Sequence, residues 1–192
     1  TRTHKSELVF GSHAAPPGSA FTPLRTNPNP KLKAFYYVEL RGISVSGRRL
    51  PVRPELFALR PDGTGGMIVD SGTSITRLAQ PAYVALRDEF VARMPASPTS
   101  GKFSLFDTCY ELGAVPSVSV SVPTIHLHFA GNATLELPVS NYLIPIDTSG
   151  TFCLGFAGTN GALSIFGNVQ QQGYRVSFDK DRARIGFSPN QC

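Results

Sequence analysis

The clearest periodic stretch of the chain covers residues 36–45, which alternate along their length and are rich in aromatic and β-branched residues. It predicts a strand, and Ser46-Gly47 turns it back into residues 49–52 as a hairpin. Shorter apolar runs predict strands over residues 7–11 (ending at Gly11), 21–24, 67–69, 119–129, 134–137, 142–146, 151–156 and 162–166. Pro123 marks its run as an edge or a bulge. Residues 173–179 and 184–187 read as a closing hairpin around Lys180-Asp181. Residues 14–19, 26–30, 60–66 and 96–101 are loops rich in Pro, Gly, Asn and Ser. One helix is signalled. Pro81 suits its first turn, and Tyr83, Leu86 and Phe90 fall at i, i+3 and i+7. Arg87, Asp88 and Arg93 lie off that stripe, and Pro95 ends it. The stripe predicts core packing, and the whole pattern predicts one β-rich domain.

Composition agrees. The 192 residues are 41% hydrophobic and 16% charged, which suits a folded core, and 18 Gly with 16 Pro suit many short strands joined by turns. No stretch approaches the ~20 apolar residues that span a bilayer, and no signal peptide opens the chain. The start, Thr1-Arg2-Thr3-His4-Lys5, is polar and lacks Met, so a processed product or a fragment is expected.

The net charge of +5 is scattered, whereas a nucleic-acid face concentrates its cations. A solvated basic surface is therefore the favoured reading. Arg48-Arg49 beside Arg53 is the local cluster that keeps nucleic acid as a minor partner class. The three cysteines, Cys109, Cys153 and Cys192, form no CxxC, and no His lies at ligand spacing, so no metal is expected. They admit one internal disulfide plus one cysteine paired elsewhere, or three free thiols. The first arrangement implies an oxidising compartment. Asn132-Ala133-Thr134 is a glycosylation sequon that points the same way. The expected route is the secretory pathway, to the extracellular space or the vacuole, with the plastid as an alternative.

The candidate chemistry lies in Asp70-Ser71-Gly72-Thr73-Ser74, which follows the apolar run Met67-Ile68-Val69. A carboxylate there sits where a strand ends, with a glycine for the turn and short hydroxyls to bond it. The four-residue pattern alone also makes ordinary surface turns. Further segments accompany it in order. They are Phe35 to Gly47, then Thr76, Leu78 and the Pro81 helix, Phe106-Asp107-Thr108-Cys109-Tyr110, Phe152 to Phe156, and Ile165-Phe166-Gly167-Asn168 with the closing hairpin.

Together these resemble the C-terminal lobe of a pepsin-like aspartic protease, and more narrowly the plant nepenthesin-like branch. The resemblance covers nearly the whole chain and implies a mostly β acid-protease lobe with one or two short helices. It treats residues 1–192 as one lobe whose N-terminal counterpart is absent. It implies that Asp70 is the second catalytic aspartate. Ser71 and Gly72 complete its loop, Thr73 braces the loop against the other lobe, and Ser74 lies where substrate backbone passes. Ile165-Phe166-Gly167 is implied as the strand threaded behind the loop, with Ile75 and Ile165 as pocket walls and Phe166 as core. Cys109 and Cys153 match the disulfide within this lobe, leaving Cys192 to seek a partner outside the chain, such as the other lobe.

The sequence departs from a complete enzyme. No second Asp-Thr-Gly loop and no Tyr-bearing flap are present. Asp62-Gly63-Thr64 lacks the preceding strand, Asp107-Thr108-Cys109 has Cys for Gly, and Asp147-Thr148-Ser149-Gly150 has the wrong order. The expectation is therefore half of an active site, partnered by an N-terminal lobe and acting on a peptide or protein without cofactor. A non-catalytic inhibitor or a basic DNA-binding protein is the alternative.

Overall fold

The computed structural model describes residues 6–99, 102–113 and 121–189. Among them the chain forms fifteen strands in four sheets and two α-helices. The sheet that matters most is five-stranded, in the order β12(Phe156–Thr159), β6(Thr76–Ala79), β13(Ser164–Phe166), β5(Met67–Val69), β2(Tyr36–Val38). β5 is buried at all three positions. It pairs in parallel with β13, with Ile165 opposite Ile68 and Phe166 opposite Val69. β13 thus slots between β5 and β6, although those two strands are joined only by the short loop that carries Asp70.

Three antiparallel sheets surround it. β4(Arg48–Arg49), β3(Leu40–Val45), β8(Ile125–Phe129) and β9(Thr134–Glu136) form one. β1(Ala20–Pro23), β15(Arg184–Pro189) and β14(Tyr174–Asp179) form the second, in which the closing hairpin is extended by β1. β10(Leu143–Pro145), β11(Thr151–Leu154) and β7(Cys109–Glu111) form the third. Their inner faces meet in one core that includes Ile43, Phe57, Leu86, Phe90, Ile125 and Phe187.

Helix α1(Gln80–Arg93) carries Pro at its first turn and ends at Met94, whose N–H still reaches the Phe90 carbonyl at 2.9 Å. Ala82, Tyr83, Leu86 and Phe90 are its buried face, so the apolar stripe is core. Phe90 meets Tyr110 and Tyr142 at ring-centroid distances of 6.2 and 6.0 Å.

Several strand expectations are corrected. Residues 6–10 form no strand: Leu8 and Phe10 are 83% and 81% exposed, and this apolar run finds no ladder partner. The 36–45 run divides at Glu39 into β2 and β3, which belong to different sheets. Glu39 marks the crossing, where its carboxylate pairs with Arg25 and Arg41, each at 2.7 Å. The strand expected over 119–129 is confined to Ile125–Phe129, with 119–120 outside the described residues. Pro123 lies before it and its carbonyl accepts the Tyr142 hydroxyl at 3.0 Å, while β8 itself pairs on both sides, with β3 and β9, and is an inner strand. The 151–156 run divides into β11 and β12. β6, β7 and the short helix α2(Asn168–Gln171) had no periodic signal of their own.

Candidate active site

Asp70 leaves the end of β5 and is held from three sides. Its backbone N–H donates to the Phe166 carbonyl at 3.1 Å, continuing the β5–β13 ladder by one rung. The Thr73 hydroxyl donates to Asp70 Oδ2 at 2.7 Å, and the Gly72 N–H donates to Oδ1 at 2.9 Å. Each carboxylate oxygen therefore has a donor. The Thr73 hydroxyl first, and then the Gly72 amide, hold the Asp70 carboxyl below the ordinary carboxylate range, with burial opposing them. The residue is only partly buried, and Ser71, Gly72 and Ser74 beside it are exposed. The loop thus presents an oriented, readily ionised carboxylate at the surface.

The glycines have steric reasons. Gly72 is outside the left-handed region, so the turn itself does not demand it. A Cβ there would lie 3.1 Å from Asp70 Oδ1 and crowd the carboxylate that its amide serves. Gly167 passes directly against the backbone of the other limb of the loop. A Cβ at that position would lie 2.7 Å from the Ile75 carbonyl carbon and 2.8 Å from the Thr76 nitrogen. Any larger residue would push β13 off the loop.

The loop is tied down from behind by α2. The Asn168 N–H donates to the Thr73 carbonyl at 2.7 Å, and the Val169 N–H to the Ser74 carbonyl at 2.9 Å. Asn168 Nδ2 donates to the Ser71 carbonyl at 3.0 Å. The Gly167 N–H donates to Thr76 Oγ1 at 2.9 Å. Gln170 is fully buried and fully used: Oε1 accepts the Thr76 N–H at 2.9 Å, while Nε2 donates to the Asn141 and Gly155 carbonyls, each at 2.7 Å. Gln171 Nε2 donates to the Phe166 carbonyl at 2.8 Å, the same oxygen that receives the Asp70 amide. Residues 168–171 therefore carry much of the bracing. Their signal was available in the Asn-x-Gln-Gln run after Gly167, but no periodicity marks it.

The remaining expected residues fall as follows. Phe166 is 0% exposed and packs against Phe129 and Phe187, while Ile165 is half-buried on β13. Ile75 packs on a small apolar cluster of Phe106, Cys109 and Cys153, with Ile146. Cys109 and Cys153 form a disulfide between β7 and β11. Thr73, implied as a brace to another lobe, directs its hydroxyl to Asp70 within this chain. Asn132 is exposed, and Cys192 lies outside the described residues.

Two of the three other carboxylates weighed against Asp70 have local roles. Asp62 caps its own turn through Thr64, with bonds to the N–H at 2.9 Å and the hydroxyl at 2.6 Å. Asp147 does the same with the N–H groups of Ser149 and Thr151. Asp107 was not foreseen as a brace. It accepts the Tyr83 hydroxyl, the Thr108 hydroxyl at 2.9 Å and Arg87 at 3.4 Å, tying α1 to the segment before the disulfide. Arg48, from the local basic cluster, is paired with Glu89 at 3.5 Å. Among the described residues no group of three or more His, Cys, Asp or Glu could hold a metal ion.

A mostly β lobe with a carboxylate loop straddling an inserted strand is the C-terminal half of a pepsin-like fold. A family model described as "Xylanase inhibitor C-terminal" matches residues 35–189, and the chain belongs to that family. It is 53% identical to "Aspartyl protease family protein 2" of Arabidopsis thaliana, over 97% of this chain and 38% of that protein. It is 38% identical to "Aspartic proteinase nepenthesin-1" of Nepenthes gracilis, over 97% of this chain and 42% of that one. The chain thus spans about two fifths of the length of the curated relatives it matches. Solved structures share the fold. The crystal structure of edgp has a TM-score of 0.78 at 23% identity, covering 89% of this chain and 45% of that one. Basic 7S globulin from soybean has a TM-score of 0.69 at 22% identity, covering 91% and 43%.

Proposed function

We propose that this chain is the C-terminal lobe of an aspartic endopeptidase and supplies the second catalytic aspartate, Asp70, to a site completed by an N-terminal lobe. The observation that carries the reading is the carboxylate of Asp70, half-buried in an exposed loop and held by a donor on each oxygen. The relatives named as aspartic proteases, including one 53% identical, support it.

The chemistry follows from bringing a second carboxylate close to Asp70. Two adjacent carboxylates cannot both ionise, so they hold one proton between them and titrate as a pair. The ionised member takes a proton from a water that attacks the scissile carbonyl, and the protonated member donates to that carbonyl oxygen. Ser74, exposed beside the loop, would meet substrate backbone, and Ile75 and Ile165 would wall pockets for its side chains. Cys192 is proposed to pair outside this lobe.

The test is Asp70→Asn in the full two-lobe protein. Peptide cleavage at acidic pH is expected to fall by at least about 10²–10⁴-fold in kcat, the range for losing a positioned acid–base group. Cleavage that persists at the wild-type rate sinks the proposal.

A second reading rests on the description of the matched family, "Xylanase inhibitor C-terminal", and on the basic 7S globulin among the fold neighbours. In that reading the lobe is a non-catalytic binding module. It predicts that the intact two-lobe protein binds a partner enzyme with equal affinity whether Asp70 is present or replaced by Asn.

A further inference from the structure

Asn132-Ala133-Thr134 is the chain's single Asn-x-Ser/Thr sequence, and the proposed peptidase chemistry makes no use of it. It forms the connection from β8 to β9. Gly131 and Asn132 both adopt left-handed backbone, with φ of 75° and 61°. Asparagine tolerates that conformation better than most residues. The turn is tight and anchored on both sides. The Phe129 N–H donates to the Ala133 carbonyl at 2.7 Å, and Ala133 is 1% exposed. Gly131 packs so close to Phe21 that a Cβ there would lie 2.8 Å from its carbonyl oxygen. Asn132 and Thr134, by contrast, are exposed. Among the described residues the Asn132 amide has no hydrogen-bond partner, so no contact must break to free it. Beside it opens a hollow of about 370 Å³ whose lining includes Arg41, Arg49, His128 and Thr134.

A second observation concerns compartment. Cys109 and Cys153 are joined, and both are buried. Such a bridge forms and persists where folding proceeds under oxidising conditions, which for a eukaryotic chain is the lumen where oligosaccharides are transferred to asparagine.

We infer that Asn132 is an N-glycosylation site, accepting an oligosaccharide from a lipid-pyrophosphate donor. In that transfer Asn132 Nδ2 forms a bond to C1 of the first sugar and gives up one proton. The C1–oxygen bond to the lipid pyrophosphate breaks, and the pyrophosphate leaves with the electron pair. The glycan then stands on the β8–β9 edge of the four-stranded sheet, over the hollow, where Arg41 and Arg49 offer donors to sugar oxygens. Asp70 lies on the five-stranded sheet, so the modification is independent of the peptidase proposal.

Peptide mapping of native material, before and after enzymatic release of N-glycans in heavy-oxygen water, decides the point. The peptide spanning position 132 is expected to carry a hexose-ladder mass increment and, after release, an isotopically labelled aspartate at that position. In the full-length protein secreted from a eukaryotic host, Asn132→Asp and Thr134→Ala are expected to lose the increment and Thr134→Ser to retain it. The Thr134→Ser arm and the native map remain decisive if either of the first two variants fails to fold. An unmodified position 132 in the native folded protein overturns the inference.

Discussion

At the scale of single residues, the Asp70 loop shows how little sequence is needed to orient a carboxylate. Thr73 and Gly72 reach back to the two oxygens of a residue three and two positions earlier. A hydrogen bond to a charged group contributes about 1.5–3 kcal/mol, and it favours the charged form. Removing the Thr73 hydroxyl should therefore raise the Asp70 pKa. In the two-lobe protein, Thr73→Ala is expected to move the acid limb of the pH–rate profile upward, while Thr73→Ser keeps it in place. An unmoved limb in Thr73→Ala would show that this hydroxyl does not tune the carboxylate. The geometry of the loop depends as much on what is missing. At Gly72 and Gly167 a Cβ would meet the carboxylate or the backbone of the facing limb.

At the scale of elements, the loop owes its rigidity to β13 and α2, which come nearly a hundred residues later in the chain. Gln170 is the central tie, joining β6 to the 141 and 155 carbonyls without contact with water. Gln170→Leu fills the same space but leaves one amide and two carbonyls without partners. At roughly 1–3 kcal/mol for each buried unsatisfied group, a loss of about 3 kcal/mol or more is expected in the unfolding free energy measured by urea denaturation. A neutral result would mean that other groups take over those bonds. The disulfide is the second long-range tie. It closes a loop with a sequence separation of 44. In the chain-entropy account, removing it with Cys109→Ala and Cys153→Ala together costs ~4 kcal/mol. For a domain of this size, that is a fall of about 10 °C in Tm, readable by calorimetry. An unchanged Tm would contradict the entropic account here.

At the scale of the whole molecule, charge decides how the lobe responds to acid. Burial raises the Asp107 pKa, but the donors Tyr83, Thr108 and Arg87 together outweigh it and leave the carboxyl below its ordinary value. A carboxyl with a depressed folded pKa contributes stability that is present above its unfolded pKa, about 3.9, and is lost as pH falls through the folded value. The Tm difference between wild type and Asp107→Asn should therefore be constant near neutrality and shrink below about pH 4. A difference independent of pH would assign the brace to packing instead. Asp179, held by Arg184 first and by Arg182, is lowered in the same direction and acts in the same window. The tie between α1 and the segment before β7 is thus expected to survive the mildly acidic conditions in which the proposed chemistry runs.

Local pattern was enough for several features because their causes are local. The α1 stripe, its proline boundaries, the 173–187 hairpin and the carboxylate loop all depend on neighbours within a few residues, and each is present. The mostly β class was equally plain in the composition and the short runs. What the sequence alone determined about this protein is therefore its family resemblance, its candidate carboxylate and most of its strand inventory. The tertiary structure decided what depends on distant partners. Residues 7–11 have a strand-like pattern but no ladder partner, so they remain exposed, whereas the weakly patterned β6 is a strand because β12 and β13 flank it. The 36–45 run is broken at Glu39 because two sheets claim its halves. Only the fold places β13, α2 and Gln170 behind Asp70. Hydrogen bonds between residues about a hundred positions apart leave no period in the chain, and they hold that carboxylate in place.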